Sequence, residues 1–175
     1  MSVLYVDNLQ PNLGSRVMAA GHVVQVVSAH KSDPATANSV YPTWSDIGFE
    51  ASITPTSATS KILMISNLSI GNNSSMFSYH RILRDGTVAI DVGDVSPNQA
   101  QVTSNYYQDH NGGQMIKQTS TFLDSPATTS QVTYKIQVCG ASNSIFYLNR
   151  SGRDGAYTQY DGRGASNLIL MEIAQ

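Results

Sequence analysis

The sequence predicts an all-β fold, an antiparallel sandwich of jelly-roll type behind an extended N-terminal arm, and three observations carry that prediction. The first is period. In Gln131–Cys139, Val132, Tyr134, Ile136 and Val138 alternate with Gln131, Thr133, Lys135 and Gln137, the two-residue repeat of a strand with one buried and one exposed face. The second is spacing: short runs of this kind recur along the chain with turn residues between them, and no helical period of useful length interrupts them. The third is composition. A content of 41% hydrophobic residues over 175 supports one core, while only 13% are charged, about half the usual quarter.

The elements follow in order. His22–Ser28 opens the sandwich, and a polar loop with Pro34 and Pro42 runs to Trp44. Asp46–Ile53 alternates, directing Ile47, Phe49, Ala51 and Ile53 inward. The turn cluster Pro55–Ser60 leads to Lys61–Ile70, the most apolar run up to that point. Ser75–Arg84 and Thr87–Val92 flank Asp85-Gly86, a favoured two-residue hairpin turn. Ser96–Gly113 is a long polar loop with a short strand at Val102–Tyr107. Gln114–Leu123, Gln131–Cys139, Ser144–Asn149 and Leu168–Ala174 complete the set. About eight to ten short strands of this length make two facing sheets. Leu168-Ile-Leu-Met is apolar at every position. Such a strand is central in a sheet or faces a subunit interface, and the interface is the expectation, with Leu168, Ile169, Met171 and Ile173 on it.

Residues 1–21 differ from the rest. Val3-Leu-Tyr-Val alternates briefly before Pro11, Asn12 and Gly14 break any regular element. The segment lacks the apolar surface for a core of its own, so the chain divides into an arm, 1–21, and a sandwich domain, 22–175. The N-terminus has no basic and apolar regions of a signal peptide, and no run reaches the roughly 18 apolar residues of a membrane span. A net charge of −2 without any lysine or arginine run argues against nucleic acid as a partner. The lone Cys139 cannot form an intramolecular disulfide and reads as a small packing residue at a strand end or subunit contact, in keeping with synthesis in a reducing cytoplasm.

Few residues suggest chemistry. His22, His30, His80 and His110 share no metal-ligand spacing. Asp91 and Asp94 around Gly93 are turn formers rather than a calcium loop, which needs six or more oxygens. Glu50 and Glu172, the only glutamates, fall on separate strands and do not form the carboxylate pair of a glycosidase. No enzyme, metal or cofactor is expected. The Asn-x-Ser matches at Asn67, Asn72, Asn73 and Asn149 are chance in so Asn- and Ser-rich a chain. The most distinctive polar feature is the loop Arg150–Ser166, in which Arg150, Arg153 and Arg163 stand among Tyr157, Tyr160 and four glycines. Planar donors and stacking rings on an adaptable backbone suit a glycan or protein surface; the alternative is a solvated hairpin whose Arg and Asp charges pair locally.

Several blocks in order resemble a group of bacteriophage virion proteins: Leu4-Tyr-Val-Asp-Asn-Leu-Gln and Gly21-His-Val-Val-Gln-Val-Val at the start, then Ile53-Thr-Pro-Thr-Ser-Ala-Thr-Ser-Lys-Ile-Leu, Arg84-Asp-Gly-Thr and Leu123-Asp-Ser-Pro-Ala-Thr-Thr-Ser. Thr133-Tyr-Lys, Leu148-Asn-Arg and the closing Ser166-Asn-Leu-Ile-Leu-Met-Glu-Ile-Ala continue the likeness over nearly the whole chain. The family is that of trimeric head- and tail-fibre and capsid decoration (cement) proteins. The resemblance implies a homotrimeric, non-enzymatic sandwich on a virion, attached to the major capsid protein or another virion protein. The arm would anchor it through Val3, Leu4, Tyr5 and Val6. An arm of about twenty residues reaches at most roughly 70 Å, which suits a knob seated on a capsid. The alternative is a tail-fibre tip that binds a receptor or host surface glycan, with Arg150, Arg153, Tyr157, Tyr160 and Arg163 as its contacts.

Overall fold

The computed structural model describes residues 19–73, 77–107, 112–142, 144–155 and 159–175. Eleven strands lie among them: β1 Val23–Lys31, β2 Ala35–Ala37, β3 Ser45–Ile53, β4 Lys61–Asn72, β5 Phe77–Arg84, β6 Val88–Ile90, β7 Ser104–Tyr107, β8 Ile116–Asp124, β9 Val132–Gly140, β10 Phe146–Leu148 and β11 Ser166–Ile173. They form two antiparallel sheets. In the first, β1 pairs β11, β11 pairs β4 and β4 pairs β8, while the far end of β4 takes β10 and then β2. In the second, β3 pairs β9 and β9 pairs β5, whose other edge is shared by β7 and β6.

If β6 and β7 count as one position and the short β2 and β10 are set aside, eight strands remain. Numbered 1 to 8 along the chain, they stand in the order 1-8-3-6 in one sheet and 2-7-4-5 in the other. That is jelly-roll wiring, two Greek keys folded onto each other. Each sheet is built from strands distant in sequence, so neither sheet completes without the other end of the chain.

The two inner faces make one core. Ile62, Met64, Leu68, Ile70, Leu168 and Leu170 come from the first sheet; Phe49, Ile53, Ile82, Val132, Tyr134, Ile136 and Val138 come from the second. Alternation does the sorting, since in β9 every second side chain up to Val138 is fully buried. Where β5 turns into β6, Asp85 (φ 50°) and Gly86 (φ 74°) both take the left-handed conformation, and the Thr87 N–H bonds to the Arg84 carbonyl at 3.2 Å. This is the type I′ geometry that the Asp-Gly pair foretells. At Gly152 the reason for glycine is space: a Cβ there would lie 1.8 Å from the Asn72 carbonyl oxygen.

At one end, Arg84 Nη1 donates to both oxygens of Asp124 (2.6 and 2.7 Å), and the Tyr134 hydroxyl donates to Asp124 Oδ2 at 2.7 Å. Arg84 and Tyr134 belong to the second sheet and Asp124 to the first, so the cluster ties the layers together. Burial and the Asp124 carboxylate both push the Tyr134 phenol well above its ordinary pKa. Near the chain ends, the Gly21 N–H bonds to the Ala174 carbonyl at 2.8 Å and the Ala174 N–H to the His22 carbonyl at 2.9 Å. The residues that lead into β1 are thereby fixed beside the residue that follows β11.

Candidate functional site

β11 has neighbours on both edges, so its side chains alternate between the core and the outer surface. Leu168 and Leu170 are fully buried. Leu168 is therefore core, and an interface on this strand cannot include it. The other expected interface residues, Ile169, Met171 and Ile173, point outward and are half-buried. They have company. Val26, Met171, Leu63 and Leu123 are successive partners across β1, β11, β4 and β8. The next row is Ser28, Ile169, Ile65 and Thr121, and the row toward the chain ends is Val23, Ile173 and Lys61.

Val26 is 57% exposed and Leu123 and Val23 are 45% exposed. The row Val26, Met171, Leu63 and Leu123 is apolar on all four strands and is continued by Ile169, Ile65, Ile173 and Val23, a chemistry suited to a contact surface. Its far boundary is polar, where Asn67 donates to Asn167 (2.9 Å) and Thr119 donates to Asn67 (2.6 Å). The outward apolar side chains expected on one strand extend over its neighbours. The signal for the apolar face on β4 lay in Lys61–Ile70, where Leu63 and Ile65 are apolar at positions that alternation assigns to the exposed face.

The two ends of the Arg150–Ser166 loop lie side by side, with Arg150 bridging Arg163 and the Gly164 N–H bonded to the Asn149 carbonyl at 3.0 Å. Its guanidinium groups are engaged within the loop. Asp154 accepts ion pairs from Arg150 (2.9 Å) and Arg163 (2.7 Å), and Arg153 pairs with Asp161 at 3.0 Å. Arg150 also lies 4.0 Å above the Tyr147 ring and Arg153 5.8 Å from Tyr160. Tyr160 is 66% exposed. Tyr157 and the anchoring set Val3, Leu4, Tyr5 and Val6 lie outside the described residues.

The titratable groups that could suggest catalysis are held by the fold. Glu172 is buried and accepts from Gln25 Nε2 (2.7 Å) and from the Thr56 N–H and hydroxyl (2.8 Å each). Burial works to raise its pKa, but these bonds and one from Ser60 outweigh it and hold the carboxyl below its ordinary value. The acid fastens the 54–60 turn to β1 and β11. His80 faces inward on β5, where burial pushes its pKa down to about 4, with the Gln118 amide offsetting part of the effect. Cys139 is buried and its thiol is pushed up to about 12 by burial, which leaves little thiolate. Among the described residues no three His, Cys, Asp or Glu side chains gather as metal ligands, and no helix is long and apolar enough to cross a membrane.

No protein-family model matches the sequence, and no curated protein matches it either. Solved structures with a similar shape include chains of infectious bursal disease virus. The Gx strain gives a TM-score of 0.47 at 12% identity over 98% of this chain and 42% of that one. The VP2 subviral particle of the same virus gives 0.48 at 12% identity over 98% and 43%. The chain thus spans less than half the length of those chains.

Proposed function

We propose that this protein is a non-enzymatic structural component of a bacteriophage virion: a homotrimeric capsid decoration (cement) protein or short head-fibre knob. Residues 1–21 would hold it on the major capsid protein or another virion protein. The observation that carries this reading is the apolar outer face of the β1–β11–β4–β8 sheet. It is a surface of Val26, Leu63, Ile65, Leu123, Ile169, Met171 and Ile173 that a lone domain in water would leave uncovered. A second copy of the chain supplies the matching apolar surface, and closed symmetry lets three copies bury it.

The jelly-roll wiring and the charge-poor composition are in keeping with a virion part. Three arms on one trimer would add avidity, so that each needs only weak contact at Val3, Leu4, Tyr5 and Val6. A tail-fibre tip binding through the 150–163 loop draws less support, because Arg150, Arg153 and Arg163 already have carboxylate partners.

The test mixes the full chain, or the same chain with Leu4→Asp and Tyr5→Asp, with capsids stripped of this protein, and then sediments the particles. Co-sedimentation of the unaltered chain and its loss in the variant, with association of the variant in solution unchanged, is the expected outcome. Equal binding by both would remove the arm from the account.

A further inference from the structure

The outer face of the second sheet is built differently from that of the first. Its exposed rows carry rings. Phe77 and Tyr79 stand on alternate positions of β5 with their rings near parallel, 6.4 Å apart. Phe77 faces Tyr107 of β7 in register, with ring centroids 5.0 Å apart. Tyr41 packs edge-on against Tyr79 at 6.3 Å and against Trp44 at 6.5 Å. Phe77, Tyr107 and Tyr41 are each more than 40% exposed. Five aromatic side chains therefore form one continuous platform open to solvent.

A polar belt runs along one side of the platform. Asp46, Gln137 and Arg81 are successive partners across β3, β9 and β5. Arg81 donates twice to Gln137 Oε1 (3.0 and 2.7 Å), Gln137 donates to Asp46 (2.6 Å), and the Arg81 guanidinium lies 4.4 Å above the Trp44 ring. These bonds fix the Trp44 ring and leave the charges mutually satisfied.

On the other side, Tyr79 forms one wall of a cleft of about 380 Å³ whose remaining lining is Asn98, Gln99, Ala100, Val102 and Asn105. That volume lies within the roughly 300–1,000 Å³ of small-molecule sites. The 93–105 segment is held in place: Gln101 bonds the Gly93 carbonyl (2.9 Å), Thr103 N–H the His80 carbonyl (3.0 Å), and Gln118 the Asn105 carbonyl (2.9 Å). The side-chain amides of Asn98, Gln99 and Asn105, by contrast, are exposed and make no hydrogen bond to the described residues.

We propose that this cleft and the ring platform beside it bind a neutral saccharide, with a pyranose face stacked on Tyr79 and its hydroxyls bonded to Asn98, Gln99 and Asn105. The chemistry selects the ligand class. A sugar ring has an apolar face of C–H bonds that lies well on an aromatic ring, and hydroxyls that both donate and accept. A carboxamide also does both, so three free amides around a ring match a hydroxyl-rich ligand. No charged side chain lines the cleft, so nothing there compensates a sialyl or uronate carboxylate. The platform continues past the cleft through Phe77 and Tyr107 on one side and Tyr41 on the other, which gives room for a chain of several sugars.

The sequence holds one tryptophan, Trp44, on the platform. Its fluorescence serves as the reporter for the full chain titrated with neutral hexose and N-acetylhexosamine oligosaccharides, and with sialylated and uronate-containing counterparts, drawn from hits on a glycan array. The expected result is saturable binding of a neutral oligosaccharide, weakened at least tenfold by Tyr79→Ala and by the paired surface change Asn98→Ala with Gln99→Ala. Tyr160→Ala, outside the cleft lining, should leave it unaltered. The paired surface change keeps the test valid if Tyr79→Ala fails to fold. Absence of binding to every neutral oligosaccharide at millimolar concentration would overturn the proposal. So would a preference for the acidic set, or binding that Tyr160→Ala abolishes and the cleft variants retain. Array silence together with capture of a protein partner by the ring platform would likewise count against it.

Discussion

Asp124 accepts three hydrogen bonds from two partners and is almost fully buried, so its removal strands Arg84 and the Tyr134 hydroxyl together. Breaking a buried pair by deleting one member leaves an uncompensated charge, and Asp124→Ala should cost about 3 kcal/mol in urea unfolding. Arg84→Met with Asp124→Leu, which removes both charges, should cost less than the single change. His80 makes a different prediction. Its imidazole is held at about 4 by burial and titrates near 6.5 in an unfolded chain. Between those values the unfolded state binds the extra proton, so stability is full above pH 6.5 and falls as the pH drops toward 4. The loss from this group amounts to about 3 kcal/mol. Chemical unfolding of His80→Gln at pH 7 and pH 4.5 should show a shallower decline than the unaltered chain; an identical slope would mean that the imidazole takes up its proton as readily in the fold as in the unfolded chain. Cys139, buried with its thiol raised, should resist thiol reagents until the protein unfolds.

β11 shows how one strand can serve both the core and a surface contact. Leu170 faces inward and Met171 outward, one residue apart, so the two should fail in different ways. Leu170→Ala should destabilise the fold by about 3 kcal/mol. Met171→Lys should leave unfolding nearly unchanged and reduce association instead, read by sedimentation velocity. The periods of β3 and β9 were legible because nine residues in each display a two-residue repeat several times. β2 was not: Ala35–Ala37 is three residues long in a Pro- and Ser-rich stretch, and only its pairing with β10 makes it a strand. Leu168 illustrates a limit of another kind. An all-apolar strand shows that both faces are covered, yet which residue faces the core depends on its partners in β1 and β4. The arginines of the 150–166 loop were visible as a cluster, and the spacing of Asp154 and Asp161 made local pairing one of two open readings. The ring platform was not legible, since Tyr41, Trp44, Phe77, Tyr79 and Tyr107 come from three separate stretches that only the second sheet brings side by side.

The molecule as a whole presents two opposite outer faces with different chemistry. One, on the β1–β11–β4–β8 sheet, is aliphatic. The other, on the β3–β9–β5–β7 sheet, is aromatic and amide-rich. Sandwich sheets pack about 10 Å apart, so a contact that covers the aliphatic face leaves the aromatic face outward. Association through the first sheet and saccharide binding through the second are therefore compatible in one particle. The first and last strands pair along their length, and Gly21 bonds to Ala174. Removal of residues 1–18 should preserve that contact, with a thermal midpoint within a few degrees of the full chain, whereas removal of β11 should abolish folding. The most direct test of the account is the solution mass of the full chain by light scattering, alone and as the Ile169→Lys/Met171→Lys double variant. The account predicts three times the 18.9 kDa chain mass for the unaltered protein and a folded monomer for the variant. An unaltered chain that stays monomeric at every concentration would contradict it.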